Sequence, residues 1–141
     1  MDAQTLDGYI RQEIRKAVYP DRVELYLSFF FMSGSAEPLC LTFDRNGVLT
    51  DGGRTMKELK KRLGDLSPYQ ANIQNILTDY DPVTLEGGQK LTLRHFQTIH
   101  RGEESYLDYM GGLNRLLRVI SLLDVVDTIA VDEDGGVRYA K

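Results

Sequence analysis

One turn of the chain combines residue types that can hold an anion. Asp51-Gly52-Gly53-Arg54 joins a predicted strand to a predicted helix. The glycines permit a close backbone approach, amides at the start of a helix can bind a phosphate or carboxylate, and Arg54 adds positive charge. The predicted ligand- or partner-binding residues are Asp51, Gly52, Gly53, Arg54, Lys57 and Lys61. The alternative is structural: Asp51 bonds local amides and the glycines only form the corner.

Carboxylates beside the predicted strands suggest a second chemistry, that of a metal-dependent nuclease. Such an enzyme needs acidic groups that converge on a metal ion. Glu24, Asp44 and Asp51 lie on or next to strands, and Lys57 or Lys60 is the candidate basic neighbour. Their spacing matches no nuclease signature, so surface and turn roles are the favoured interpretation of these acids.

The remaining reactive residue types form no catalytic or metal-binding pattern. His95 and His100 are five positions apart, which sets them about 140° apart on a helix and on opposite faces of a strand. Cys40 lies between two leucines, where a free cysteine acts as a small hydrophobic residue. The Asp-rich turns at 44–47 and 132–135 fail the spacing of a calcium-binding loop. We therefore predict no catalytic residue, no metal ligand and no cofactor.

Charge is distributed unevenly along the chain. The formal net charge is -4, but residues 54–62 hold five basic side chains and one acidic one, a balance of +4. The other residues must then sum to -8, with acids clustered at 124–134. A basic helix on an acidic protein suits an acidic partner. Basic side chains spread around one helix cannot all face one way, so we do not expect a nucleic-acid partner.

Length and composition describe one globular domain. The chain has 141 residues, of which 42% are hydrophobic and 27% are charged. Recurring apolar segments argue against disorder, and neither a membrane span nor a signal peptide is recognisable. The single cysteine excludes an internal disulfide, which fits a reducing compartment. We predict a single cytoplasmic domain over residues 1–141 with no membrane partner.

Hydrophobic periodicity predicts one helix and three strands before the glycine turn. Apolar residues first recur at every fourth position, at Leu6, Ile10, Ile14 and Val18. That spacing predicts a helix, which Pro20 ends. From Val23 to Met32 every odd position is apolar, and the even positions are polar at first and apolar from Phe30 onward. This pattern predicts a strand whose far end is covered on both faces. Residues 39–43 and 48–50 add two strands around an Asn-Gly turn, which completes an antiparallel meander.

Three helices and a hairpin follow the turn. Thr55 and Glu58 have the spacing of a capping box at the start of one helix, and the next helix has proline in its first turn. Residues 83–93 predict a hairpin about a Gly-Gly pair. The strongest helix spans 105–127, and its broad apolar stripe comprises Leu113, Leu116, Leu117, Ile120, Leu123 and Val126. Residues 129–141 form either a C-terminal hairpin or a frayed tail.

These elements predict an α+β fold in the order α-β-β-β-α-α-β-β-α. A small antiparallel sheet packs against the N- and C-terminal helices through Val23, Leu25, Leu27 and Phe29. Phe30 and Met32 are candidates for an exposed edge patch, which would favour a homodimer.

The chain resembles a bacterial and phage domain of unknown function. Members of that family show a hydrophobic-Thr/Ser-Asp-Asp/Gly-Gly step before a helix, and Leu49-Thr50-Asp51-Gly52-Gly53 matches it after a strand and a hairpin. A later helix, small hairpin and Leu-rich helix are also similar, so the resemblance spans about residues 9–127. Gly52 takes the glycine alternative, so a carboxylate pair is absent from the turn. The family occurs in prophages and mobile elements, which implies an interaction or counter-defence role.

We therefore expect a non-enzymatic phage or mobile-element protein that acts by protein–protein binding, with counter-defence inhibition as one form of that role. A host or phage protein is the expected partner. Two alternatives stay open: a small-ligand or phosphate-binding module at the Gly52-Gly53-Arg54 turn, and a metal-dependent nuclease.

Overall fold

The computed structural model describes residues 2–5, 14–94, 103–131 and 137–139. The strands within these ranges are β1 (Ile14–Val18), β2 (Arg22–Leu27), β3 (Leu39–Asp44), β4 (Leu49–Thr50), β5 (Thr84–Glu86), β6 (Lys90–Leu93), β7 (Ile129–Val131) and β8 (Val137–Tyr139). The longer helices are α1 (Arg54–Leu63), α2 (Gln70–Asp79) and α3 (Glu103–Asp124). Short 3₁₀ turns at Ser67–Tyr69 and Val126–Thr128 adjoin α2 and α3.

The described elements form an α+β fold, as the sequence predicts. Six strands make one sheet in the order β1-β2-β3-β4-β6-β5, and every neighbouring pair in it is antiparallel. The helices α1 and α2 lie between β4 and β5 in sequence, yet β6 returns to pair with β4. This return brings the start of β6 beside the turn that starts α1.

Alternating leucines turn one face of the sheet into the core. The buried leucines of the sheet are Leu25, Leu27, Leu39, Leu41, Leu49, Leu91 and Leu93. They share one cluster with buried residues of all three helices, so the helices cover this face. Because side chains of a strand alternate between faces, the polar residues Glu24, Tyr26, Thr42 and Thr50 lie on the opposite face.

The apolar stripe of the long helix is confirmed. Leu116, Ile120 and Leu123 of α3 are fully buried in the common core, and Leu117 at the edge of the stripe is half-buried. The helix ends at Asp124, so Val126 reaches the same core from the 3₁₀ turn that follows.

The predicted turns of the two sheet hairpins are also confirmed. The amide of Gly47 donates to the carbonyl of Asp44 at 3.1 Å in the turn between β3 and β4. The strands β5 and β6 pair on either side of Gly87 and Gly88. Near the C-terminus, β7 pairs antiparallel with β8.

The predicted N-terminal helix is wrong over its last turn and a half. Ile14–Val18 is the edge strand β1, which pairs antiparallel with β2. A four-residue repeat such as that of Ile14 and Val18 also fits a strand, because four is a multiple of the two-residue strand period. The β-branched side chains of both residues favour the strand. Residues 6–13, the rest of that predicted helix, lie outside the described residues.

The second strand is shorter than predicted. It ends at Leu27, and residues 28–38 form a loop that connects it to β3; we call this segment the β2–β3 loop. Its apolar residues are not covered on both faces: Phe31 is buried, but Phe30 and Met32 are exposed. The predicted exposure of Phe30 and Met32 is thus confirmed, at a loop instead of a strand edge.

No helix within the described ranges is long and apolar enough to cross a membrane.

We predict that core and exposed apolar residues respond differently to truncation. Ile120→Ala removes a fully buried side chain and should lower the free energy of unfolding by about 2–5 kcal/mol through lost burial and a residual cavity. Phe30→Ala, at an exposed site, should change it by about 0.5 kcal/mol or less. Urea unfolding measures both. Similar losses for the two variants would contradict this assignment of the core.

Candidate functional site

Asp51 anchors the turn between β4 and α1. The residue is buried, and its carboxylate accepts hydrogen bonds from the amides of Gly53 (2.9 Å), Thr55 (3.1 Å) and Leu91 (3.1 Å). The first two amides belong to the start of α1 and the third to β6. One carboxylate therefore ties together a strand end, a helix start and a neighbouring strand.

The glycines of the turn adopt conformations that other residues rarely reach. Gly52 has φ 66° and Gly53 has φ 88°, both in the left-handed region. The amide of Gly52 donates to the Thr50 hydroxyl oxygen at 3.2 Å, and the amide of Arg54 donates to the Asp51 carbonyl at 3.3 Å. The amides that would hold an anion thus already have partners inside the chain, which favours the structural interpretation of this turn.

The predicted capping box is not formed. Because α1 begins at Arg54, with Gly53 as its cap residue, Thr55 lies inside the helix. The buried Thr55 hydroxyl has no hydrogen-bond partner among the described residues, while Glu58 is engaged elsewhere. Asp51 performs the capping role instead, since its carboxylate receives the Thr55 amide, which the Glu58 side chain of the box would have satisfied, and the Gly53 amide as well.

Arg54 clamps the β2–β3 loop onto α1. Its guanidinium donates to the carbonyls of Glu37 and Pro38 (both 3.1 Å) and to the Ser35 hydroxyl (3.0 Å). It also lies over the ring of Phe31, at 5.3 Å from the ring centre. These contacts leave the Arg54 side chain only 15% exposed. Its charge is therefore used largely within the protein.

Glu58 is the buried counter-ion of Arg54. Its carboxylate accepts a 3.0 Å hydrogen bond from Arg54 Nε and a hydrogen bond from the Ser33 hydroxyl. Burial by itself raises the pKa of Glu58, but the hydrogen bonds from Ser33 and Arg54 outweigh burial and lower it. Glu58 is therefore held as a carboxylate, and the loop is attached to α1 through Ser33 as well as through Arg54.

A third attachment of the loop comes from the end of α3. Both carboxylate oxygens of the buried Asp124 lie 3.1 Å from the amide of Met32, which donates to them. Burial raises the pKa of Asp124. Arg62 of α1 donates to the Asp124 carbonyl at 2.6 Å and to both carboxylate oxygens of Asp127, and these hydrogen bonds lower the pKa of Asp127. The basic helix and the acidic end of α3 therefore meet beside this loop.

The residues predicted as a site lie on one turn and the helix that follows it, but they have different roles. Asp51, Gly52 and Gly53 form the start of α1, and Arg54 connects that start to the loop. Lys57 and Lys61 are exposed on α1. Sequence reasoning missed Ser33 and its loop, whose involvement depends on contacts with α1 that no local pattern signals.

The carboxylates considered for nuclease chemistry do not converge. Glu24 lies on the polar sheet face, Asp44 accepts the amides of Asn46 and Val48 in its own turn, and Asp51 caps α1. Within the part of the chain that the structure describes, no group of three or more acidic, histidine or cysteine side chains is placed to hold a metal ion. The histidines lie outside the described residues.

Cys40 occupies the polar face of β3 rather than the core. Its thiol is 4.0 Å from a Glu24 oxygen, and the Tyr26 hydroxyl donates to the same carboxylate at 3.2 Å. Burial and the nearby Glu24 charge raise the pKa of the Cys40 thiol, and the hydrogen bond to Glu24 raises the pKa of Tyr26 to about 12. A raised thiol pKa reduces the thiolate that nucleophilic chemistry requires.

The fold and the site define an α+β protein with one helical layer, in which a clamped apolar loop lies beside a basic helix. Comparison of this chain with protein families, with curated proteins and with solved structures found no match.

We predict that Asp51→Ala destabilises the protein strongly. The change leaves three backbone amides without their acceptor, and should cost about 2–3 kcal/mol in the free energy of unfolding, measured with urea. The matched control is Asp79→Ala at the exposed last residue of α2. A loss for Asp51→Ala no larger than that for Asp79→Ala would contradict the anchoring role.

We predict that Glu58 contributes to stability at neutral pH and loses that contribution in acid. Its folded-state pKa is lowered, so the stabilisation is present above the pKa of the unfolded chain and disappears as pH falls through the folded pKa. Glu58→Gln should lower the unfolding free energy by about 1–3 kcal/mol at pH 7. It should also flatten the decline of stability in acid.

The matched control is Glu37→Gln, because Glu37 also faces Arg54, at 3.9 Å, but its side chain is 85% exposed. An exposed pair contributes little, so this variant should follow the wild-type curve of urea stability against pH. A Glu58→Gln curve that coincides with it would contradict the role of Glu58.

Proposed function

We propose that this protein acts by binding another protein through the β2–β3 loop. The observation that carries the proposal is the exposure of two large apolar side chains on a loop whose backbone is held in place: Phe30 is 70% exposed and Met32 is 63% exposed. Aromatic residues and methionine are enriched in protein–protein interfaces and often dominate their binding energy.

The attachments of the loop support this role. The Met32 amide is bound to Asp124, Ser33 is bound to Glu58, and Arg54 holds residues 35–38. A binding element that is already ordered loses less conformational entropy when a partner docks. The buried ring of Phe31 packs edge-to-face with Phe29, with 5.0 Å between ring centres, which anchors the middle of the loop in the core.

The resemblance to a bacterial and phage domain supports a host or phage protein as the partner, and counter-defence inhibition as the role. Phosphate binding at the Gly52-Gly53-Arg54 turn is the less favoured alternative, because the turn amides and the guanidinium have partners within the chain. A metal-dependent nuclease is the least favoured, because its proposed carboxylates lie apart.

The test uses the tagged full chain to capture proteins from a bacterial lysate, with identification by mass spectrometry. Wild type should capture one dominant protein, and the variant Phe30→Ser with Met32→Ser should lose it. Truncated interface anchors typically cost more than 1 kcal/mol each, so the affinity for the purified captured protein should fall by about tenfold or more.

The matched control is Val18→Ser, which changes an equally exposed apolar residue, 69% exposed, at the end of β1. This variant should capture the same protein as wild type. Repeated failure of wild type to capture any protein would overturn the proposal, as would equal capture by all three forms. If light scattering detects a dimer in wild type and not in the Phe30/Met32 variant, the partner is a second copy of this chain and not another protein.

A further inference from the structure

Charged side chains surround the exposed apolar pair, Phe30 and Met32. What they imply about the partner rests on the proposed function. We propose that the partner presents an apolar pocket for Phe30 and Met32 beside a rim of carboxylates, which Lys57 and Lys61 contact. Two observations point to this chemistry. The first is the position of the lysines on α1, and the second is that the acidic groups that attach the loop are bonded to other groups within the protein.

Helix geometry places Lys57 and Lys61 on the side of α1 that carries the loop. Successive residues turn by about 100°, so Lys61 lies roughly 60° around the helix from Glu58, and Lys57 roughly 60° from Arg54. Glu58 and Arg54 are the residues that bind the loop directly. The positive charge of Lys61 also reaches Glu58, whose pKa it helps to lower.

The acidic side chains of α1 and of the end of α3 that lie beside the loop are bonded within the protein. Glu58 faces Arg54, the Asp124 carboxylate accepts the Met32 amide, and Asp127 is paired with Arg62. By contrast, no ion pair within the described ranges uses Lys57 or Lys61, and both side chains are exposed. The loop also carries one exposed acid, Glu37, which is 85% exposed and lies 3.9 Å from Arg54. Because two exposed lysines face this single exposed acid, the exposed charge beside the apolar pair is positive in sum, and complementary surfaces carry opposite charge.

Charge also distinguishes this partner from three other occupants. A two-fold contact between copies would bring the same lysines of each copy to one interface, where they would repel. Two lysines neutralise too few phosphates for firm nucleic-acid binding. A membrane surface would have to attract a chain whose formal net charge is -4. The acidic protein surface is the occupant that fits both the apolar pair and its rim.

The experiment measures the affinity of the purified captured protein for charge variants of the full chain by titration calorimetry. Lys57→Glu with Lys61→Glu should weaken binding by about tenfold or more. Arginine at both positions should preserve binding, because the charge is kept. Wild-type affinity should fall as the NaCl concentration rises.

Lys60→Glu is the matched control. Lys60 is exposed in the same last turn of α1, but lies roughly 160° from Glu58 around the helix. Lys60→Glu places an acid near the C-terminal end of the helix dipole, as Lys61→Glu does, so both variants carry the same cost to the helix. Lys60→Glu should leave the affinity within about twofold of wild type. Thermal melting of each variant confirms that the fold is retained.

Each outcome bears on the inference separately from the proposed function. If the Lys57/Lys61 charge reversal binds like wild type while the Phe30/Met32 variant does not, the acidic rim is overturned and protein binding stands. If wild type captures no protein, both are overturned. Loss of capture after nuclease treatment, or sedimentation of the protein with phosphatidylcholine–phosphatidylglycerol vesicles in place of protein capture, would overturn the acidic protein partner.

Discussion

The carboxylate of Asp51 is the interaction on which the rest of this region depends. It receives two amides from the start of α1 and one from β6, so it determines both where the helix begins and how it lies against the sheet. Hydrogen bonds to a buried carboxylate compensate the loss of its hydration, and without them the charge could not be buried. Arg54 and Glu58 can meet the loop only because this start is defined.

The charged groups of α1 and α3 hold the apolar β2–β3 loop in place by hydrogen bonds. Arg54 and Glu58 hold residues 33–38, and Asp124 holds the amide of Met32. Arg54 and Glu58 each have two or more hydrogen-bond partners, and both oxygens of the Asp124 carboxylate accept the Met32 amide. Such partners are the condition under which burying a charge is tolerable. The loop is thus fixed from two helices, with Phe31 turned into the core and Phe30 and Met32 turned outward. This combination of order and apolar exposure is what makes the loop a candidate binding surface.

Local patterns predicted most of the fold because their physics is local. Alternating leucines identify the core face of β2 and β3, the Asn-Gly turn marks the β3–β4 hairpin, and the Gly-Gly turn marks the β5–β6 hairpin. The helix predicted at 14–18 is wrong because the four-residue spacing there satisfies both the helix period and the strand period. Pairing with β2 decided between them, and that pairing is a tertiary contact. Likewise, the apolar run that follows β2 allowed either a strand end covered on both faces or an exposed Phe30 and Met32, and only tertiary packing decided between them.

The sequence by itself determined the α+β class, the glycine corner before α1, the buried stripe of α3 and the contrast between a basic helix and an acidic chain. Only the tertiary structure decided the partners of the charged groups: Glu58 with Ser33 and Arg54 instead of a capping box, and Asp124 with Met32 across 92 positions of sequence. Side-chain periodicity and turn chemistry act between neighbours along the chain. The partner of a buried charge depends on which distant backbone and side-chain groups the packed elements bring within about 3 Å of it.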